Sequence, residues 1–177
     1  MTTYVAFLRA INLGARRKFP KDAIIAATEG AGFTDVATHI NTGNVRLETR
    51  VRSRARIEAA LEEAYEADRG FAVPTIAFTV VELRDLVAEA DRLSEGFEGG
   101  HYVSLLKQEP SADAARAVEA RSRDAERLVV RGRALHQLVA GGYLDARLDS
   151  AAVEKALGVA TSRNVTVLRA LVPKWCA

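Results

Sequence analysis

The chain has 177 residues, 49% of them apolar and 27% charged, with a formal net charge of +2. That length accommodates one domain or two small halves with a real core, and the composition excludes a disordered chain. The small charge excess excludes a histone-like polycation, so affinity for an anion would have to come from local clusters of cations.

From the N-terminus, Tyr4 to Ile11 (YVAFLRAI) is β-prone and apolar on both faces until Arg9, as a covered central strand requires. The stretch from Arg9 to Lys21, RAINLGARRKFPK, then brings five basic side chains and no acidic one. Pro20 suits the first position of a helix that presents Ile24, Ile25 and Thr28 on one face and stops at Gly30 and Gly32. DVATHI and VRLET read as strands joined by a turn at Thr42, Gly43 and Asn44, since Gly and Asn tolerate positive φ. Ser53 can cap a helix whose Ile57, Leu61, Ala64 and Tyr65 recur at helical spacing, and VPTIAFT after Gly70 is a further strand. This βαββαβ order predicts a ferredoxin-like α+β half over residues 1–80.

Thr79 and Glu82 form a capping box for a helix with Leu83, Leu86, Val87 and Ala90 on one face, and SEGFEGG ends it, so residues 81–98 connect the halves. HYVSLL, the helix SADAARAVEA after Pro110, ERLVV, a turn at Gly132 and ALHQLV then repeat the earlier order. Two closing helices complete a βαββαα half over residues 99–177, because Val165, Leu168 and Leu171 give Thr161 to Val172 helical spacing, closed by Pro173. The expected architecture is a pseudo-duplicated α+β protein.

The longest apolar runs, such as Ile76 to Val81, are too short to span a bilayer, and MTTYVAFLRAIN has no basic segment ahead of a long apolar core. These features predict a cytoplasmic protein without membrane contact. A single cysteine, Cys176, excludes an intramolecular disulfide, and its penultimate position predicts a frayed surface thiol rather than a nucleophile.

YVAFLRAINLG, then Lys18 and Pro20, GFTDV, TGNV, VEKALG, and Thr161 with Arg163 and Asn164 occur in an order that resembles the bacterial domain of unknown function 1697 family over nearly the whole chain. The resemblance implies a compact α+β fold and a set of marked positions; the family has no established activity. Members usually show Arg-Gly-Ile-Asn where this chain has Arg9-Ala10-Ile11-Asn12, and Ser-Gly-Asn where it has Thr42-Gly43-Asn44. A usual Ser-Lys-Leu stands here as Ala146-Arg147-Leu148, and Arg-Asn-Trp-Asn-Thr as Arg163-Asn164-Val165-Thr166-Val167, without the tryptophan.

The residues themselves point to an anion site. Gly14 permits close backbone approach, and Arg16, Arg17, Lys18 and Lys21 add charge to the positive end of the first helix, where cations alone are mildly unfavourable. Arg9 and Asn12 close a buried-looking strand, Asn44 holds its own turn or orients a ligand, and Arg147, Arg163 and Asn164 repeat a basic group beside a helix opening. Asp145 and Asp149 flank Arg147 and offer it surface ion pairs instead.

No P-loop or dinucleotide-binding glycine pattern occurs, no cofactor is implied, and His39, His101 and His136 are too dispersed to suggest a metal. Glu62, Glu63 and Glu66 read as solvated helix surface, and no nucleophile or general base stands out. VRLET lacks the aromatics of an RNA-recognition sheet, and Tyr4 and Phe7 are as well suited to the core. The leading expectation is a protein that binds an anionic partner, nucleic-acid backbone or a phosphorylated small molecule. The alternatives are an enzyme on a small anionic substrate in a cleft between the halves, and a structural module without ligand; a homodimer is compatible with each.

Overall fold

In the computed structural model, which describes residues 1–176, the chain divides into two compact units, Met1–Leu83 with Cys176, and Arg84–Trp175. The first runs β1 (Thr2–Leu8), α1 (Lys21–Gly30), β2 (Thr34–His39), β3 (Asn44–Thr49), α2 (Arg54–Arg69), β4 (Thr75–Thr79). Its strands form one antiparallel sheet in the order β2-β3-β1-β4, with Tyr4 opposite Leu47 on one side and Thr79 on the other.

Strand side chains alternate between faces, so Tyr4, Ala6 and Leu8 of β1 meet Ile24 of α1 and Ile57, Leu61 and Tyr65 of α2 in one buried cluster. Val5 and Phe7 point the other way and are also buried, with Phe7 edge-on to Phe78 at 6.1 Å. Both faces of β1 are therefore covered, which is why its sequence lacks polar alternation. Tyr4 and Phe7 belong to the core, and neither is exposed for base stacking.

The two helices are also joined by a buried polar contact. Thr28 donates its hydroxyl proton to the Ile24 carbonyl, so it accepts the Tyr65 hydroxyl proton across 2.7 Å. Burial pushes the Tyr65 phenol well above its ordinary range. From α2, the Glu58 and Glu62 carboxylates accept the backbone N–H groups of Ala77 at 2.9 Å and Thr75 at 2.8 Å. Glu62 is thus half-buried and bonded to the edge strand β4, not solvated surface, because β4 would otherwise present unpaired donors.

The chain passes from one unit to the next along α3 (Val80–Ser94), opened by the capping box of Thr79 and Glu82. The second unit contains β5 (Gly100–Leu106), α4 (Ala112–Glu119), β6 (Glu126–Arg131), β7 (Ala134–Val139), a 3-10 turn at Tyr143–Asp145, α5 (Ser150–Leu157), β8 (Ala160–Asn164) and α6 (Val165–Trp175). Its antiparallel sheet has the order β6-β7-β5-β8. Leu106, Leu128, Val130 and Leu135 pack with Val118 of α4 and Val153 and Leu157 of α5. Among the described residues the fold is mixed α+β, two four-stranded antiparallel sheets with six α-helices, and no helix is long and apolar enough to cross a membrane.

Four further sequence expectations are corrected. The second half is βαββαβ followed by a helix, not βαββαα: Ala160–Asn164 is a strand paired with β5 from Ala160 opposite Leu106 to Asn164 opposite Tyr102. The helical spacing of Val165, Leu168 and Leu171 governs only from Val165 onward, and a short polar strand carries little hydrophobic periodicity. Pro20 occupies the cap position ahead of α1, and Pro173 lies within the last turn of α6. Cys176 is buried, 4% exposed, and not a frayed surface thiol.

Gly43 shows how closely the β2–β3 turn seats on β1. Its φ is +79°, its carbonyl accepts the Leu8 N–H at 2.8 Å, and an added Cβ would lie 2.7 Å from Leu8 Cβ and 2.9 Å from Ile11 Cδ1. Gly43→Ala is expected to destabilise the protein by about 1–3 kcal/mol through overpacking together with left-handed strain. Urea melts of the variant and the parent measure this directly; equal midpoints would show that the turn is not seated as described.

Candidate functional site

The loop between β1 and α1 carries four residues in left-handed backbone: Ala10 (φ 55°), Asn12 (55°), Gly14 (66°) and Arg17 (59°). Such conformations persist in non-glycine residues only where the surroundings over-determine them. Asn12 supplies much of that determination. Its backbone N–H donates to the Arg17 carbonyl at 2.9 Å, its Oδ1 accepts the Phe19 N–H at 2.9 Å, and its Nδ2 donates to the carbonyls of Phe19 at 3.1 Å and Asn41 at 2.8 Å. Phe19 in turn is fully buried, edge-on to Tyr65 at 5.2 Å.

Arg17 is the second fastener. Its Nε donates to the Ala10 carbonyl at 2.6 Å, its Nη2 to the Ala72 carbonyl at 2.7 Å, and its guanidinium lies 4.5 Å from the Phe71 ring centre. Asn12 and Arg17 therefore bind the protein's own backbone. At Gly14 an added Cβ would meet nothing within 4 Å, so the glycine answers to its positive φ and not to a close approach. Arg9 is half-buried just past β1, its N–H bonded to the Pro74 carbonyl at 2.9 Å, and Asn44 is fully buried, its Nδ2 bonded to the His39 carbonyl at 2.9 Å and to Thr42 Oγ1 at 3.1 Å.

Arg16, Lys18 and Lys21 remain. All three are exposed, and among the described residues no carboxylate lies within 4.0 Å of their charged groups. They border the start of α1, whose cap position is Pro20, a residue with no side chain able to accept the helix's first N–H groups; Asp22 in the first turn is the acidic residue there.

In the second unit Arg163 lies in β8 and is 7% exposed, its Nη1 bonded to Thr161 Oγ1 and the Ser162 carbonyl, each at 2.9 Å. Burial pushes its guanidinium down to about 10, still a cation at neutral pH. Asn164 caps α6, its Oδ1 accepting the Thr166 N–H at 2.9 Å and hydroxyl at 2.8 Å. Arg147 is exposed and lines a cavity of about 130 Å³ with Arg121, Arg123, Glu126, Leu128 and Leu148. Asp145 and Asp149 do not pair with it: they accept the Gly142 N–H at 2.7 Å and the Ala152 N–H at 2.8 Å.

Glu126 is 2% exposed beneath these arginines. Its carboxylate accepts from Arg123 Nη2 at 2.8 Å, the Arg147 N–H at 3.2 Å, the Leu148 N–H at 3.3 Å and Gln137 Nε2 at 3.3 Å. Burial alone would raise its carboxyl, but these donors outweigh burial and hold it below the ordinary range. Arg121 and Arg123 were not legible as site residues; they reach the cavity from the α4–β6 connection, with no periodicity to mark them.

The fold also brings together two histidines that are 35 positions apart. His101 Nδ1 lies 2.6 Å from Ser94 Oγ, and His101 Nε2 lies 3.1 Å from His136 Nδ1. Ser94 donates its proton to the Ala90 carbonyl at 2.8 Å, so His101 must donate through Nδ1 and accept through Nε2. His136 then donates through Nδ1 and keeps an unbonded lone pair on a buried Nε2. Among the described residues no group of three His, Cys, Asp or Glu is placed to hold a metal.

A family model described as a protein of unknown function (DUF1697) matches residues 1–136. The chain is also similar to a solved structure, the conserved bacterial protein SP0830 from Streptococcus pneumoniae, with a TM-score of 0.75, 15% identity and 97% of each chain covered; the likeness is one of fold. None of the curated proteins compared matches.

The histidine pair makes stability depend on acid. Burial pushes both imidazoles down to about 4; Arg169 depresses His101 further and Arg131 depresses His136, with Asp91 and Glu89 opposing them. The unfolded chain binds these protons near pH 6.5 and the folded chain does not, so this stability is complete above about pH 6.5 and declines as pH falls toward 4. Carboxylates contribute below about 4.5, so urea melts between pH 7 and 5 isolate the imidazoles. The expected result is a falling midpoint across that interval, flattened in His101→Gln/His136→Gln; a flat parental profile would refute it.

Proposed function

The chain belongs to the DUF1697 family of proteins of unknown function, and on that premise we propose that it binds a nucleic-acid backbone through the loop between β1 and α1. One observation carries the reading. Asn12 and Arg17 are engaged with the loop's own backbone, while Arg16, Lys18 and Lys21 stand exposed with no carboxylate within 4.0 Å among the described residues. A rigid loop presents cations without having to order the chain when the anion arrives, which lowers the cost of binding.

The reading favours an extended polyanion over a small ligand because these side chains project from an exposed loop. Leu13, 66% exposed in the same loop, and Ile40, 47% exposed beside the Asn41 carbonyl that Asn12 binds, add apolar surface next to the cations. That combination suits the sugar and base edges that accompany phosphates. Tyr4 and Phe7 are buried, so the contact falls on the loop and not on the sheet. We further read each unit's βαββαβ order, with its first strand central, as the ferredoxin-like split βαβ plan.

Three phosphate contacts predict a steep response to salt. For duplex DNA, affinity falls with a log–log slope of about −0.9 per neutralised phosphate, so raising salt from about 50 to 200 mM should weaken binding about 40-fold. Fluorescence anisotropy of a labelled DNA duplex measures this. Arg16→Gln/Lys18→Gln/Lys21→Gln is expected to abolish most of the binding and its salt dependence. Binding indifferent to salt, binding unchanged in the triple variant, or no binding at low salt would each overturn the proposal.

A further inference from the structure

From the second unit we infer that the cavity lined by Arg121, Arg123 and Arg147 is a receptor for a terminal phosphoryl group, separate from the loop and independent of the proposal made for it. The cavity holds about 130 Å³, room for a tetrahedral anion head.

The charges around it are unbalanced in a specific way. Among the described residues Glu126, at the floor, is the only carboxylate lining the cavity, and it is saturated: Arg123, the backbone N–H groups of Arg147 and Leu148, and Gln137 take both of its oxygens. The other nearby acids are absent from the lining. Asp145 and Asp149 bond the backbone N–H groups of Gly142 and Ala152, and Asp124, exposed in the turn, makes no ion pair among the described residues. Arg121 and Arg147 have no carboxylate within 4.0 Å among the described residues. Three guanidinium groups against one carboxylate leave two positive charges, the complement of a phosphate monoester, which carries between one and two negative charges near neutrality.

Glu126 makes the arrangement a built one. By gripping the side chain of Arg123 and the backbone at Arg147 and Leu148, it fixes the two segments that carry the arginines to one floor. Of the three guanidinium groups Arg123 is held by Glu126 itself, while Arg121 and Arg147 extend from segments fixed at their backbone, and each planar guanidinium can offer a two-pronged face to phosphate oxygens, which an ammonium cannot. Leu128 and Leu148 close the remaining wall with buried apolar surface, which excludes water from that side of the anion.

The test is a titration of the full chain, followed by NMR of the arginine side-chain Nε–H signals, with inorganic phosphate, with O-phosphoserine, and with chloride at matched ionic strength. Saturable shifts of the Arg121, Arg123 and Arg147 signals are expected with both phosphates and not with chloride. Tighter binding of phosphoserine would identify a phosphomonoester as the source, and equal or tighter binding of inorganic phosphate the free ion. Arg121→Gln/Arg147→Gln, both at exposed positions, should weaken phosphate at least 10-fold, and the loop variant Arg16→Gln/Lys18→Gln/Lys21→Gln should not. Absent or non-saturable shifts, shifts reproduced by chloride, or affinity unchanged in the double variant would overturn the inference, whatever the fate of the DNA experiment.

Discussion

The side-chain amide of Asn12 pairs with both the N–H and the C=O of Phe19, much as a neighbouring strand would, while also reaching the Asn41 carbonyl. Together with Arg17 it holds three non-glycine residues of the loop at positive φ. Because Phe19 is buried against Tyr65, and Tyr65 is tied to Thr28, the loop inherits its geometry from the packing of α1 on α2. Everything the loop presents to solvent follows from that chain of contacts. Replacing the amide by a carboxylate would put acceptors against the Phe19 and Asn41 carbonyls, so a near-isosteric change at this position is chemically severe.

The acidic side chains explain how a chain with nearly balanced charge presents unpaired cations. Glu58 and Glu62 bond backbone N–H groups of β4, Glu119 bonds that of Val130 in β6, and Asp145 and Asp149 bond those of Gly142 and Ala152. Glu58, Glu62 and Glu119 serve edge strands, whose outward donors would otherwise be open to pairing with other chains. A carboxylate oxygen that accepts a backbone N–H has less capacity left for a surface cation, although Glu119 also meets Arg131 at 3.3 Å. The arginines and lysines have no comparable task at the chain's N–H groups, since they cannot accept hydrogen bonds. Formal charge therefore understates the local positive potential at Arg16 and Lys18, and at Arg121 and Arg147.

Local signals in the sequence were sufficient for most of the fold. β-prone runs and turn chemistry marked the first unit's strands, and the Thr79 and Glu82 capping box is present with both of its bonds. β8 was missed because ATSRN pairs through its backbone and buries Thr161 and Arg163, a polar set that no hydrophobic period describes. For the sites the obstacle was distance along the chain. Arg17 and Arg16 are adjacent and alike in sequence, and the Ala72 carbonyl and the Phe71 ring, far downstream, join the Ala10 carbonyl in assigning one to the fold while the other stays in solvent. Likewise nothing local joins Arg121 to Arg147, or His101 to His136, until the sheet of the second unit sets them side by side.

The recurring theme of a basic residue at a helix opening divides once the caps are known. α2 and α4 are capped by the hydroxyls of Ser53 and Ser111, α3 by Thr79, α5 by Asp149 and α6 by Asn164. Each of those side chains satisfies a free N–H of the first turn and reduces what the helix end can offer an anion. Pro20 cannot do so, and α1 opens with no side-chain cap directly after the basic loop. Cations and helix dipole there repel one another mildly, a cost of a few tenths to about 1 kcal/mol per charge that a phosphate between them would convert to attraction. Asp22 in the first turn relieves part of that repulsion. The physical case for the loop is thus a local electrostatic imbalance that the fold holds in place and does not itself neutralise.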